Sequence, residues 1–479
     1  MNISAFSHKL IKIIAFVFLT LYLIIWAISS PLSKHFIKPM LLEKGLFLSP
    51  DTSISYNPFL SQFTVNELTL YNDKQQTVLS INSLSIRLAL LRLLFDEISV
   101  SKLELNGAYL KIDKTPTQLI IAGIDLSKKS SDKKFEQNIK TESSSFLYQL
   151  KLPELTLKQV SIDVNNNAKP HHIKIEKLLI SQVEASQQSQ QATLSLQSTI
   201  DAAIFELTGD ASFELGQGEI NSQLSINNYP INRLQHYTDE LSELSGFLSL
   251  SSKQHITIAP EQLNLHIAEA KLSNSDFLIG FHKQFFSLKK LENTIDNLKL
   301  TLIQGEITEL SGSSQLTLNN ADIYHEIPSQ KLVHFERLAL NDISFHLDDL
   351  PQVKVSSFVI DNIYGSKNEN SDLPSLVSLK QFNVSDILVS EQQLAVNKVI
   401  LDTLQSEVIL DKNKVLTNLV ELPETQTEKE EAAEVIKEID QEKSPSNTEF
   451  LISLNEFSLI GENQLSLLDN SVEPIMKRQ

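Results

Sequence analysis

Cysteine does not occur anywhere in this chain of 479 residues. Disulfides, thiolate nucleophiles and cysteine-ligated zinc or iron–sulfur centres are therefore excluded. The absence suits an oxidising compartment without requiring one. Glycine is scarce at 12 residues, which counts against glycine-rich phosphate loops and glycine-dense β-rolls. Basic charge is in deficit: 41 Lys and Arg against 59 Asp and Glu leave a net charge of −18. No nucleic-acid partner is expected, because phosphate binding needs a basic stripe. The same deficit argues against broad adhesion to anionic headgroups. HExxH, P-loop, GxSxG and dinucleotide fingerprints are also missing; Gly216 and Gly218 form a lone GxG in a polar turn. The 11 histidines are scattered, and the one adjacent pair, His171–His172, has no carboxylate at ligand spacing and reads as a solvated loop. The sequence thus predicts neither an enzyme nor a metal or cofactor site.

What is present begins with an apolar run. Ile13 to Ile28 carries no charge and follows Lys9 and Lys12. As a helix it would be about 24 Å long, a little short of a hydrocarbon core of roughly 30 Å. Lys12 closes the gap by laying its stem along the apolar surface, and Trp26 falls where an interfacial aromatic is favoured. An uncleaved membrane anchor is expected, with Ile13, Phe16, Phe18, Leu21, Leu23, Ile25 and Trp26 facing lipid. The competing reading is a cleaved signal peptide, with Ala27 and Ser29 as the small residues before the cut. With so short an N-terminal tail, the bulk of the chain is expected outside the cytoplasm.

Beyond the anchor, 41% hydrophobic residues are distributed with an unusual rhythm. In VHFERLALNDISF the apolar positions are Val333, Phe335, Leu338, Leu340, Ile343 and Phe345. Their spacing alternates between two and three. VKVSSFVIDNI repeats it as Val353, Val355, Phe358, Ile360 and Ile363. The same rhythm runs through ISVSKLEL (98–105), LTLKQVSI (155–162), IKIEKLLI (173–180), SLKQFNVSDILV (378–389) and ISLNEFSL (452–459). A jump of three should throw the next pair of side chains onto the opposite face of a strand. One extra residue at the jump, forming a β-bulge, restores the phase and bends the strand. The alternative is a tight turn between very short strands, as in a β-solenoid. Either way the elements are β, one-sided and repeated. NRLQHYTDELSEL (232–244) is the best helical segment in the middle of the chain, with Leu234, Tyr237, Leu241 and Leu244 on one face.

Two polar segments interrupt the pattern: Lys128–Ser145, and Glu421–Glu442 with its acidic excess. Each is followed by a Phe-Leu-led strand pair, FLYQLKLPELTLKQVSIDV and FLISLNEFSLIGENQLSLL. The expected organisation is an anchor at 1–30, a first strand block at 31–127, a linker at 128–145, an extended β region at 146–420, an acidic linker at 421–447, and the start of a further β unit at 448–479.

The stretches SISYNPFLSQFTVNELTLYN (53–72) and LSINSLSIRLALLRLLFDEISVSKLELNGAYLKI (79–112) resemble the opening of the AsmA-like envelope proteins. The closest branch is known only as a domain of unknown function. Asn57, Pro58 and Phe59, the strand pair ending in Ile98–Leu105, and Tyr109–Ile112 carry the resemblance, together with Asp469 and Pro474 in the closing segment. Such proteins usually continue past the point where this chain stops, which suggests a truncated or split member. The family is similar to TamB and the bridge-type lipid-transfer proteins. The resemblance implies an inner-membrane anchor and a long periplasmic sheet whose apolar groove accepts phospholipid acyl chains. Outer-membrane or other envelope proteins are the further partners it suggests. The combined expectation is a mainly β protein: a long, twisted and bulged, one-sided antiparallel sheet forming an open groove, with an N-terminal transmembrane helix and few short helices. Val333, Phe335, Leu338, Leu340, Ile343, Phe345, Val353, Val355, Phe358 and Ile360 are the candidate groove lining. The runner-up functions are an assembly factor that guides outer-membrane proteins by strand addition and a dry structural solenoid.

Overall fold

Alternating apolar residues at half-buried positions favour strands over helices, and strands form nearly all of the regular structure. A computed structural model describes residues 35–127, 149–167, 169–186, 188–238, 241–347, 351–420, 450–472 and 476–478. The anchor residues Ile13, Phe16, Phe18, Leu21, Leu23, Ile25 and Trp26 lie outside the described residues, as do both linkers. Residues 35–43 are helical. Among the described residues, no helix is long and apolar enough to cross a membrane.

The chain divides into two compact units, Met1–Tyr229 with Lys253–Pro260, and Pro230–Ser252 with Glu261–Gln479. The boundary falls inside the region the sequence reading treated as one extended β segment. The first unit contains β1 (Phe47–Leu48), β2 (Ser53–Asn57), β3 (Gln62–Tyr71), β4 (Thr77–Leu88), β5 (Glu97–Lys114), β6 (Leu119–Ile121) and β7 (Ile124–Asp125). It continues with β8 (Gln149–Asn166), β9 (Lys169–Ala185), β10 (Ser189–Ile200), β11 (Ala203–Glu214) and β12 (Gln217–Pro230). Its sheet runs from β2 through β3, β4, β5, β8, β9, β10 and β11 to β12. The lone GxG sits at the β11–β12 hairpin, where Leu215 (φ 49°) and Gly216 (φ 84°) make the two-residue loop between the paired Glu214 and Gln217. Both loop residues need positive φ, which matches the twist of the flanking strands.

β13 (Leu241–Ala259) has residues in both units. The second unit then carries β14 (Gln262–Phe281), β15 (Gln284–Ile303), β16 (Glu306–His325), β17 (Gln330–Leu347), β18 (Gln352–Asn368), β19 (Val377–Ser390) and β20 (Gln393–Leu410), each antiparallel to the next. β21 (Leu451–Ile460), β22 (Gln464–Asp469) and β23 (Met476–Arg478) complete it. These strands run up to 20 residues, so long bent strands, and not the short coils of a solenoid, account for the spacing.

Two expectations need correction. The sheet is not wholly antiparallel: β8 lies parallel to β5, and β21 and β22 lie parallel to β20. Both parallel steps follow a polar linker, and the reason is geometric. β5 and β20 are 18 residues long, about 59 Å at roughly 3.3 Å per residue. A parallel neighbour requires the chain to return over that whole length before pairing. The segment 232–244 is not a helix. Ile231–Tyr237 forms a short 3-10 turn, and Leu241 and Leu244 belong to β13. The helical spacing covers barely three turns, too little to stand against the alternating run Phe247-Leu-Ser-Leu-Ser that follows.

Full burial is rare. The largest fully buried side chains are Leu46 and Thr52, and the packed cluster of buried residues is Leu46, Leu70 and Val78 in the first strand block. Along the rest of the sheet most apolar side chains are half-buried.

Candidate functional site: an apolar sheet face crossed by two seams

The candidate lining falls into register across the second unit. In antiparallel ladders, directly opposed residues share a face, and here apolar residues oppose apolar residues in row after row. Leu338 stands between Leu318 and Ile360, and the row continues through Phe382 and Leu401 to Leu459. Leu340 stands between Leu316 and Phe358, continuing to Val384, Val399 and Phe457. Ile343 and Val355 start a row that ends in Leu454; Phe345 and Val353 start one that ends in Ile452. Phe335 opposes Ala321 and Ile363. Val333, opposite Ile323 and Gly365, sits at the exposed margin. Phe358 meets Phe382 edge-to-face at 5.9 Å, and Gly312 leaves room for the Phe345 ring, whose Cζ would be 2.9 Å from an added Cβ. Toward β14 and β15 the rows turn polar: Asn274 opposes Leu291 and Asn293 opposes Leu316.

The jumps of three mark two seams that cross the strands. At the first, Asp276, Asn320, Asn362 and Thr403 have φ between 50° and 57°; they lie on β14, β16, β18 and β20. At the second, Asn297, Asp342 and Asp386 have φ between 49° and 52°; they lie on β15, β17 and β19. Even strands carry the left-handed residue at one seam and odd strands at the other. At the first seam the ladder skips a residue on both strands, as where Phe335–Ile363 is followed by Arg337–Asp361, passing over Glu336 and Asn362; at the second, β15–β16 and β16–β17 instead set two residues against one. The expected bulges are therefore present, and at the first seam each is shared between neighbours. Sequence reasoning missed which jumps carry the left-handed residue. The signal was available: Asn-Asp, Asp-Asn and Ser-Asp at 341–342, 361–362 and 385–386 place Asn or Asp immediately before the next apolar residue. Those two side chains tolerate left-handed backbone best after glycine. Jumps filled by Glu-Arg (336–337), Ser-Ser (356–357) and Lys-Gln (380–381) have no such residue and no positive φ.

The side chains of these rows are mostly half-buried, and at the β21 end they are exposed, Phe457 by 59%.

Along the first seam the opposite face is polar and internally paired. A depression of about 620 Å³ along the first seam is lined by Glu336, Arg337, Asp361, Lys380 and Asp402 among others. Lys380 Nζ lies 3.2 Å from Asp402 Oδ2, and Gln381 Nε2 donates to Asp361 Oδ1 at 2.8 Å. Nearby, Lys331 is 13% exposed and reaches Asp322 at 3.0 Å and Glu369 at 2.7 Å. Burial works against its charge, yet hydrogen bonds to Glu369 and Asp322 prevail and hold its pKa above the ordinary value. A raised lysine pKa contributes stability that is complete below the unfolded value of 10.5 and is lost as pH climbs through the folded one. Lys331→Met is therefore expected to lower stability by about 1–3 kcal/mol at neutral pH by stranding its partners, with the deficit shrinking above pH 10.5. Urea titrations of both proteins at neutral and alkaline pH measure it.

In the first unit, His171 and His172 are in β9, not a solvated loop. His171 Nδ1 pairs with Asp201 and His172 Nδ1 with Asp163, each at 2.6 Å. The carboxylates come from the β10–β11 turn and from β8, so linear spacing could not reveal them. Burial, then the hydrogen bond to Asp163, pushes the Tyr109 phenol up to about 12, which keeps it a hydrogen-bond donor. Among the described residues no group of His, Asp and Glu could hold a metal ion.

Compared with known protein families, characterised proteins and solved structures, the chain matches none.

Proposed function

We propose that this is an envelope protein that carries phospholipid acyl chains along the apolar face of its sheet, anchored in the inner membrane by residues 13–28 and placed with its bulk in the periplasm. The reading includes membership of the AsmA-like family, on the residues described above. The observation that carries it is the set of continuous apolar rows from β16 to β21, whose side chains stay mostly half-buried and become exposed at β21. A sheet with one apolar face must bury it somewhere. A hydrocarbon chain does so without specific polar contacts, gaining about 0.8 kcal/mol per buried methylene. Twelve methylenes then offset roughly 10 kcal/mol of exposure to water, the scale of the barrier to moving a lipid across an aqueous gap. The six strands from β16 to β21 span about 24 Å at ~4.8 Å per step, comparable to one extended acyl chain. The seams suit this role because they bend every strand at two levels while keeping the apolar residues on one side.

The test is photo-crosslinking from benzophenone placed at Phe335 or Phe358, with Ser344 as the control on the opposite face, in protein recovered from membranes. Phospholipid adducts by mass spectrometry are expected at the first two positions and not at the third. Phe358→Asp with Ile360→Asp should cut co-purified phospholipid at least tenfold. Equal labelling at all three positions, or none, overturns the proposal.

A further inference from the structure

The apolar rows do not stop at a protected margin. They end on β21, which pairs with β20 along one edge, while β23 opposes only Leu467–Asp469 of β22. No described strand covers the other edge of β21. Exposure rises steeply along a row: Val384 is 8% exposed, but Phe457 is 59%, Leu454 50% and Ile452 71%. Long apolar edge strands template association, and proteins normally blunt them with prolines, charges or short length. The margin at β2 shows that treatment, with five residues bracketed by Pro50 and Pro58. β21 shows none of it, its single charge being Glu456, already paired with Lys398 at 2.7 Å.

The sequence of β21, Leu-Ile-Ser-Leu-Asn-Glu-Phe-Ser-Leu-Ile, has a polarity pattern that reads the same in both directions. We propose that β21 pairs antiparallel with β21 of a second copy, about a dyad between Asn455 and Glu456. Leu454 then opposes Phe457 of the second copy, Ile452 opposes Leu459, Ser453 opposes Ser458 and Leu451 opposes Ile460. In a regular strand this register would fail, because dyad-related residues an odd number apart face opposite sides. The three-residue step from Leu454 to Phe457 removes the conflict: both belong to rows on the same face. Asn455 meets Glu456 at the centre, an amide against a carboxylate, with no like charges opposed. The interface is self-complementary, as a closed twofold dimer requires, and it joins the apolar rows of two copies into one surface. A strand from an unrelated protein has no reason to find this symmetry.

The chain has no cysteine, so introduced thiols report cleanly. Ser453→Cys with Ser458→Cys should give a disulfide-linked dimer of the full-length protein under mild oxidation. Ser453→Cys alone should not, since its own dyad mate lies about 17 Å away along the strands. Phe457→Lys should convert the native dimer to monomer in light scattering while leaving the circular dichroism spectrum unchanged. A monomeric native protein at tens of micromolar, or equal crosslinking by the single and double variants, overturns the proposal. Neither result depends on bound lipid, so failure here and failure of the lipid reading are separable.

Discussion

Asn320→Val combined with Asn362→Val should destabilise the second unit by about 2–4 kcal/mol, because left-handed backbone costs an L-residue roughly 1–2 kcal/mol and a β-branched one at least that. Both residues sit at φ 50° on the first seam. The matched replacements Asn320→Gly and Asn362→Gly should stay within about 1 kcal/mol of the native protein, since glycine adopts this conformation freely. Asn362 also gives up its hydrogen bond to Glu336 in either variant, so that loss cancels from the comparison. Glu336→Val is the internal control. It lies on the same seam at ordinary φ and loses the same hydrogen bond, and it should be tolerated. Urea unfolding of the four proteins decides the matter. Should the valine pair behave like the glycine pair, the seams would owe nothing to local backbone preference. If the proposed function holds, the valine pair should also lose bound lipid, because straightened strands no longer hold the rows in a bent surface.

Leu46→Ala is the second large effect. Leu46 is 1% exposed and packs with Leu70 and Val78, flanked by Leu41, Leu48, Leu68, Leu79 and Ile124. Truncating a fully enclosed leucine costs about 2–5 kcal/mol through lost transfer energy and the cavity left behind. Comparable truncations at half-buried Leu338 or Ile360 should cost less, because they leave no closed void. Gly123 supplies a sharper check. An added Cβ there would lie 2.7 Å from Leu46 Cδ2, and the residue sits at φ 81°. Gly123→Ala alone thus suffers both a clash and backbone strain. In the Leu46→Ala background the clash is gone and the strain remains, so the double variant should be more stable than the sum of the single effects. Strict additivity would show that the two side chains do not compete for that space. Hydrogen exchange should place the damage in β3 and β4 and spare β17 and β18.

The β character and the shared face of Val333 to Phe345 and Val353 to Ile360 were legible in the spacing, because strand periodicity and burial speak through the same residues. The bulges were legible as a requirement. Their distribution was not, although Asn or Asp before the next apolar residue marks six of the seven left-handed positions on the two seams. The helix expected at 232–244 failed because a short amphipathic pattern cannot compete with a strand that recruits its second half. The two histidines misread as loop residues show the limit from another side: their carboxylates, Asp201 and Asp163, come from the β10–β11 turn and from β8.

Local order along the chain therefore settled what each segment is, since a side chain's preference for one face of a strand is a property of its neighbours in sequence. Pairing settled the rest. Which strands run parallel, which seam each strand serves, and how far an apolar row extends depend on contacts between residues tens of positions apart. Those contacts are chosen by the register of whole strands and not by any one of them.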